Sequence, residues 1–124
     1  MFTHVMVGTN DIEAAEKFYS STLGALGIQG GRKGDRCYYG ELGVGAFGVG
    51  TPRDGEAATK ANGGTIGFEA QSRAEVDAFH AVGCANGGSC AGAPGERAGA
   101  LGSPYGAYLR DPDGNKICAF AMGS

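Results

Sequence analysis

The chain has 124 residues, 42% of them hydrophobic, and a formal net charge of −3. That length makes one domain, or two small halves sharing one core, and the apolar share excludes a disordered chain. The charge balance argues against a nucleic-acid surface. No apolar run approaches the roughly 18 residues of a membrane span, so a cytoplasmic protein is expected.

Cys37, Cys84, Cys90 and Cys118 form no C-x-x-C pair, which leaves a zinc knuckle or thioredoxin-like motif unsupported and predicts free thiols. Glycine supplies 25 of the 124 residues, so many turns and bulges are expected.

In chain order, residues 2–7 alternate as a strand, with Phe2, His4 and Met6 on one side and Thr3, Val5 and Val7 on the other. Apolar residues on both sides predict cover on both faces. Asn10 followed by Glu13 reads as a capping box. It opens a helix with the stripe Ile12, Ala15, Phe18, Tyr19 and Leu23, closed by Gly24 and Gly27. The basic residues Arg32, Lys33 and Arg36, set among glycines and Asp35, read as a solvated loop. Strands are predicted over residues 36–41 and 44–50, and residues 52–64 have the composition of a linker.

The pattern then restarts. Residues 65–68 read as a strand, Ser72 and Glu75 as a second capping box, and Val76, Phe79 and His80 as the stripe of a second helix ending near residues 86–88. A shift of 61 lays His4 on Thr65, Val7 on Phe68, Phe18 on Phe79 and Tyr19 on His80. Matching the last strands sets Gly48 on Cys118, a shift of 70, and the excess falls in a Gly/Ala/Ser-rich loop over residues 88–104. Residues 107–120, AYLRDPDGNKICAF, close the chain as a hairpin: Pro112 fixes φ at the turn and Gly114 supplies a positive φ. The chain is therefore read as a single domain, 1–124. Module one (1–51) and module two (62–122) are joined by a linker at 52–61, and their pairing buries faces that neither could bury alone.

The opening HVMVGTNDIEAAEKFYSSTLGALG, the restart GGTIGFEAQSRAEVDAFHAVGCANGG and the ending YLRDPDGNKICAF resemble the vicinal oxygen chelate superfamily. This is the glyoxalase I, bleomycin-resistance and extradiol-dioxygenase group. The resemblance implies an α+β fold of two tandem βαβββ modules whose curved, mixed sheet forms a cup, commonly in a homodimer. It also implies a divalent metal held by His or Glu from the first and last strands of each module. The matched positions are His4, Gly48 or its neighbour Phe47, Thr65 and Cys118. Only His4 is of the expected ligand type. Thr65 stands where a His is usual and Cys118 where a Glu is usual, with Glu41 and Glu69 nearby in sequence. First-row divalent metals want at least three strong protein ligands, so no cofactor is expected.

By the same resemblance His4 is the candidate acid/base, and Thr65, Tyr105, Tyr108 and Cys118 are candidate pocket residues. Tyr38 and Tyr39 occupy the related place in module one. The default for Cys118 is inert burial; beside a His its thiol would become more acidic. His80 reads as a packing residue, and residues 88–102 and 103–106 as the pocket rim. The implied function is binding of a small polar or thiol-conjugated metabolite, by a lyase or isomerase related to lactoylglutathione lyase. The alternative is a metal-free protein that sequesters an aromatic or cationic compound, as bleomycin-resistance proteins do. The expected partners are a small molecule and a second copy of the chain, with no nucleic acid and no membrane.

Overall fold

The computed structural model describes residues 1–99 and 102–122. The elements run β1 (His4–Gly8), α1 (Ile12–Gly24), β2 (Gly30–Lys33), β3 (Arg36–Glu41), β4 (Gly45–Gly50), β5 (Ile66–Glu69), α2 (Arg73–Ala85), β6 (Ser89–Glu96), β7 (Tyr105–Arg110) and β8 (Lys116–Ala121). This is an α+β chain of two βαβββ modules. Both ends of the two helices are related by a shift of 61 residues. Among the described residues no helix is long and apolar enough to cross a membrane.

The strands form two four-stranded mixed sheets: sheet A in the order β1-β4-β3-β2 and sheet B in the order β5-β8-β7-β6. β1 lies parallel to β4 and β5 parallel to β8, while the remaining neighbours are antiparallel. Met6 stands opposite Gly48 and Gly67 opposite Cys118. A shift of 61 carries Met6 to Gly67, so the ladders themselves carry Gly48 to Cys118.

Side-chain oxygens set the helix starts. Asp11, one residue beyond the expected Asn10, caps α1 by accepting from Ala14 N at 3.1 Å. Asn10 is committed elsewhere: its Oδ1 accepts from Ala58 N at 2.7 Å and its Nδ2 donates to Ala58 O at 3.2 Å, pinning the linker. In α2 Ser72 Oγ accepts from Glu75 N, and Glu75 Oε1 accepts from Gln71 N at 2.8 Å, a capping box whose return bond lands one residue early.

Two strands lack the alternation that sequence reading depends on. β2 (GGRK) and β6 (SCAGAPGE) are glycine-rich or polar, and each is paired along one side only. Residues 88–104, expected as a loop, therefore contain β6. Its ladder to β7 shifts register between Cys90 and Gly92 and again between Gly92 and Gly95.

The inner faces of both sheets meet in one core. Phe18, Tyr19, Val76 and Phe79 from the helices pack with Phe47 and Val49 of sheet A and Leu109 and Ile117 of sheet B. Phe47 and Phe68 touch across the module boundary at 5.3 Å between ring centroids. Only one face of β1 is covered, contrary to expectation. Val5 and Val7 pack on the core, whereas His4 is exposed and Phe2 precedes the strand with 66% of its surface exposed.

The closing turn fastens the two modules together. Asp111 is 4% exposed, and its Oδ1 accepts from Asp113 N at 2.9 Å and Asn115 N at 2.8 Å. Its Oδ2 accepts from Tyr19 OH at 2.6 Å and Asn115 Nδ2 at 2.9 Å. Asn115 Nδ2 also donates to Gly8 O, and Asn10 N donates to Asp113 Oδ1. The β7–β8 turn is thus tied to α1 and to the end of β1. Burial and the Asp111 carboxylate push the Tyr19 hydroxyl well above its ordinary pKa, so it remains a donor. Gly114, with φ of 92°, takes the left-handed corner of the turn.

Candidate functional site

Each sheet commits one face to the shared core and turns the other outward. Period-two alternation places His4, Met6, Gly48 and Tyr38 on the outer face of sheet A. It places Gly67, Cys118, Phe120, Tyr108 and Lys116 on the outer face of sheet B. The common core lies between these faces, so a single chain does not bring His4 and Cys118 together.

On sheet A, His4 Nδ1 is hydrogen-bonded to Thr3 Oγ1 at 2.9 Å. A side chain at Gly48 would collide with Met6 Sδ and meet Tyr38 Cε1 at 3.1 Å, so a thioether fills the matched position on β4. On sheet B the relation is reversed: the glycine, Gly67, lies on the first strand, and Cys118 supplies the side chain over it. Cys118 is 6% exposed, and burial pushes its thiol up to about 11, with Lys116 opposing. It is therefore a protonated thiol at neutral pH in the single chain, a weak nucleophile as it stands. Thr65 is exposed at the entry to β5.

Within one chain these donors do not gather into a divalent-metal site. Among the described residues no three or more His, Cys, Asp or Glu side chains are grouped to hold one. Glu41 and Glu69, at the exposed ends of β3 and β5, supply no third donor.

The tyrosines divide by face. Tyr108 points outward, edge-on to Phe120 at 5.6 Å between centroids, with Lys116 Nζ 4.9 Å and Arg97 Cζ 5.8 Å from its own centroid. Tyr105, three residues earlier, turns instead to α2. Its hydroxyl donates to Asp77 Oδ1 at 2.6 Å and Arg73 stacks on its ring, so it lies away from Tyr108 and Cys118. The Asp77 hydrogen bond raises its pKa. In sheet A, Tyr38 is outward and Tyr39 is buried, its hydroxyl 2.9 Å from Ser20 Oγ. His80 is half-buried on α2, 4.0 Å from Cys84 Sγ. Gly106 lies directly beneath the Phe120 ring. Sequence reading missed Lys116, Phe120 and Arg97 on this face. The first two were within reach, since both stand two residues from Cys118 on one strand.

Two concavities border Thr65. A groove of about 990 Å³ runs between β1, β4 and β5, walled by Val5, Phe47 and Phe68, with Glu69 at its side. Met1, Phe2 and Val44 form its apolar mouth. A smaller pocket of about 270 Å³ is lined by Lys60, Arg110, Lys116 and residues 61–64.

The family model described as Glyoxalase/Bleomycin resistance protein/Dioxygenase superfamily matches residues 1–119. The crystal structure of a glyoxalase/bleomycin resistance protein from Albidiferax ferrireducens is 55% identical in sequence, with a TM-score of 0.91 over 98% of both chains. A glyoxalase-related enzyme from Fulvimarina pelagi is 18% identical, with a TM-score of 0.74 over 98% of this chain and 87% of that one. Lactoylglutathione lyase from Agrobacterium tumefaciens is 20% identical, with a TM-score of 0.65 over 98% of this chain and 92% of that one. The last two likenesses are of fold alone. No curated protein matches the chain.

Proposed function

The chain belongs to the Glyoxalase/Bleomycin resistance protein/Dioxygenase superfamily, and on that premise we propose that it binds a small polar metabolite without turning it over. The observation that carries this reading is the outer face of sheet B. A half-buried aromatic pair, Tyr108 and Phe120, is flanked by cations, and the thiol between them, Cys118, is buried and its pKa raised. Such a face offers stacking and charge, with one carboxylate, Glu69, beside Phe120 on the edge strand. The cations Arg97 and Lys116 disfavour the cationic ligand considered as an alternative and favour a polar or thiol-conjugated one carrying negative charge.

A homodimer is part of the proposal. β1 and β5 each have one unpaired edge, and Phe2 (66% exposed) and Val44 (76% exposed) form an apolar rim beside them. Docking of a second copy there covers that rim and closes the outer face of one copy's sheet A over the other copy's sheet B. A second reading, a lyase or isomerase, draws on His4, which is exposed and uncommitted beyond Thr3.

Ligand-observed NMR with glutathione conjugates and small organic acids separates the two, alongside turnover assays on S-lactoylglutathione. Binding lost in Tyr108→Ala with no turnover in the wild type supports sequestration. Turnover that disappears in a folded His4→Ala variant overturns it in favour of the enzyme. Elemental analysis after loading with zinc, nickel and manganese tests the donor-set argument: near-stoichiometric metal lost in His4→Ala refutes it. Sedimentation velocity tests the dimer.

A further inference from the structure

We propose that the pocket between the linker and the β7–β8 hairpin is an anion site, taking a carboxylate or phosphate group. Three cations from separate segments line it: Lys60 from the linker, Arg110 from β7 and Lys116 from β8. Arg110 and Lys116 are direct cross-strand partners. Like charges opposite one another in an antiparallel pair repel, so the arrangement weakens the hairpin unless a counter-charge sits between them. Among the described residues no carboxylate lies within ion-pair distance of these cations. No carboxylate lines the pocket, and the ion pair found among the described residues, Arg73 with Glu96, joins α2 to β6. The neighbouring Asp113 directs Oδ1 to Asn10 N. A chain with a net charge of −3 has thus gathered three positive charges in one concavity.

Two of the three charged heads are also held in place. Arg110 Nη1 donates to Gly114 O at 3.0 Å, which fixes the guanidinium and leaves its other N–H groups free for a ligand. Lys116 Nζ lies over the Tyr108 ring, and the Lys60 stem lies against Gly114, where an added Cβ would meet Cδ at 3.0 Å. Pre-placed donors lose little freedom on binding. At about 270 Å³ the pocket falls just below the roughly 300–1,000 Å³ of sites that enclose whole small molecules, so it accommodates a head group. The body of the ligand then extends over Lys116 towards Tyr108; only in that respect does the inference rest on the proposed metabolite binding.

The test is an NMR titration of the full chain, uniformly labelled with nitrogen-15, using inorganic phosphate and separately acetate at constant ionic strength. Saturable amide shifts at Gly63, Gly64 and Lys116 are expected with at least one of the two, and the stronger binder identifies the preferred head group. Lys60→Gln, on an exposed linker, should weaken binding about tenfold and keep the melting temperature. Lys60→Gln with Lys116→Gln should abolish binding, and Arg32→Gln on sheet A should leave it unchanged. No saturable shift with either anion, or shifts equal in the wild type and the double variant, overturns the site. A metabolite whose binding needs Tyr108 but survives the double variant overturns the anion site while leaving the proposed function standing.

Discussion

Asp111 carries four hydrogen bonds on a nearly inaccessible carboxylate, and one of them reaches a tyrosine 92 residues away in sequence. Removing that donor leaves part of a buried charge unsolvated. Tyr19→Phe should therefore lower unfolding stability by about 1.5–3 kcal/mol, read from the urea midpoint with the slope unchanged. The Asp-Pro-Asp-Gly-Asn turn is plain in the sequence, because Pro112 and Gly114 fix its corners. The reach of Asp111 to α1 is not, because nothing local encodes a partner in the other module. Cys118 gives a pH dependence with a definite sign. Its ordinary value is 9.0 and burial raises it to about 11, so the unfolded chain ionises first as pH rises. The stabilisation is complete below about pH 9 and is lost as pH climbs through 11. Melting temperature measured from pH 8 to 11 should fall less steeply in Cys118→Ala than in the wild type. Tyr39, raised from 10.0 to about 12 by burial, adds a later alkaline loss that this variant retains.

At the scale of the strand, the outer face of sheet B depends on a residue that is absent as much as on those present. Phe120 lies flat over Gly106, its cross-strand partner, where a methyl group would overlap the ring. Gly106→Ala should destabilise by about 1–3 kcal/mol through overpacking, and the cost should shrink in the Phe120→Ala background. A double-mutant cycle with no coupling would refute the contact. Helices were the most legible elements: Ala15, Phe18, Tyr19 and Leu23 repeat at helical spacing, and all are buried. The first cap was misread by one residue because Asn10 and Asp11 are both good capping types, and tertiary contact with Ala58 decides between them. β2 and β6 were illegible because edge strands rich in glycine are held by their neighbours' ladders rather than by their own side-chain pattern.

For the whole molecule, periodicity reveals which face of each strand is inner but not which inner faces meet. The duplication was readable to the residue in the helices, while the outward placement of His4 and Cys118 on different sheets followed only from the assembled core. That shared core has one more consequence. Tyr19 of one module bonds Asp111 of the other, Phe47 meets Phe68, and Asn10 holds Ala58, yet the connecting segment around Arg53 and Glu56 is exposed. The peptide link between the modules therefore acts as a tether, raising the effective concentration of one half near the other, while the contacts themselves hold the structure. A limited tryptic nick at Arg53 should give two fragments that co-elute as one native-sized species and separate only in denaturant. The halves expressed as separate chains should be insoluble alone and reconstitute when mixed during refolding: the chain is in effect a split protein whose two pieces nature has left joined.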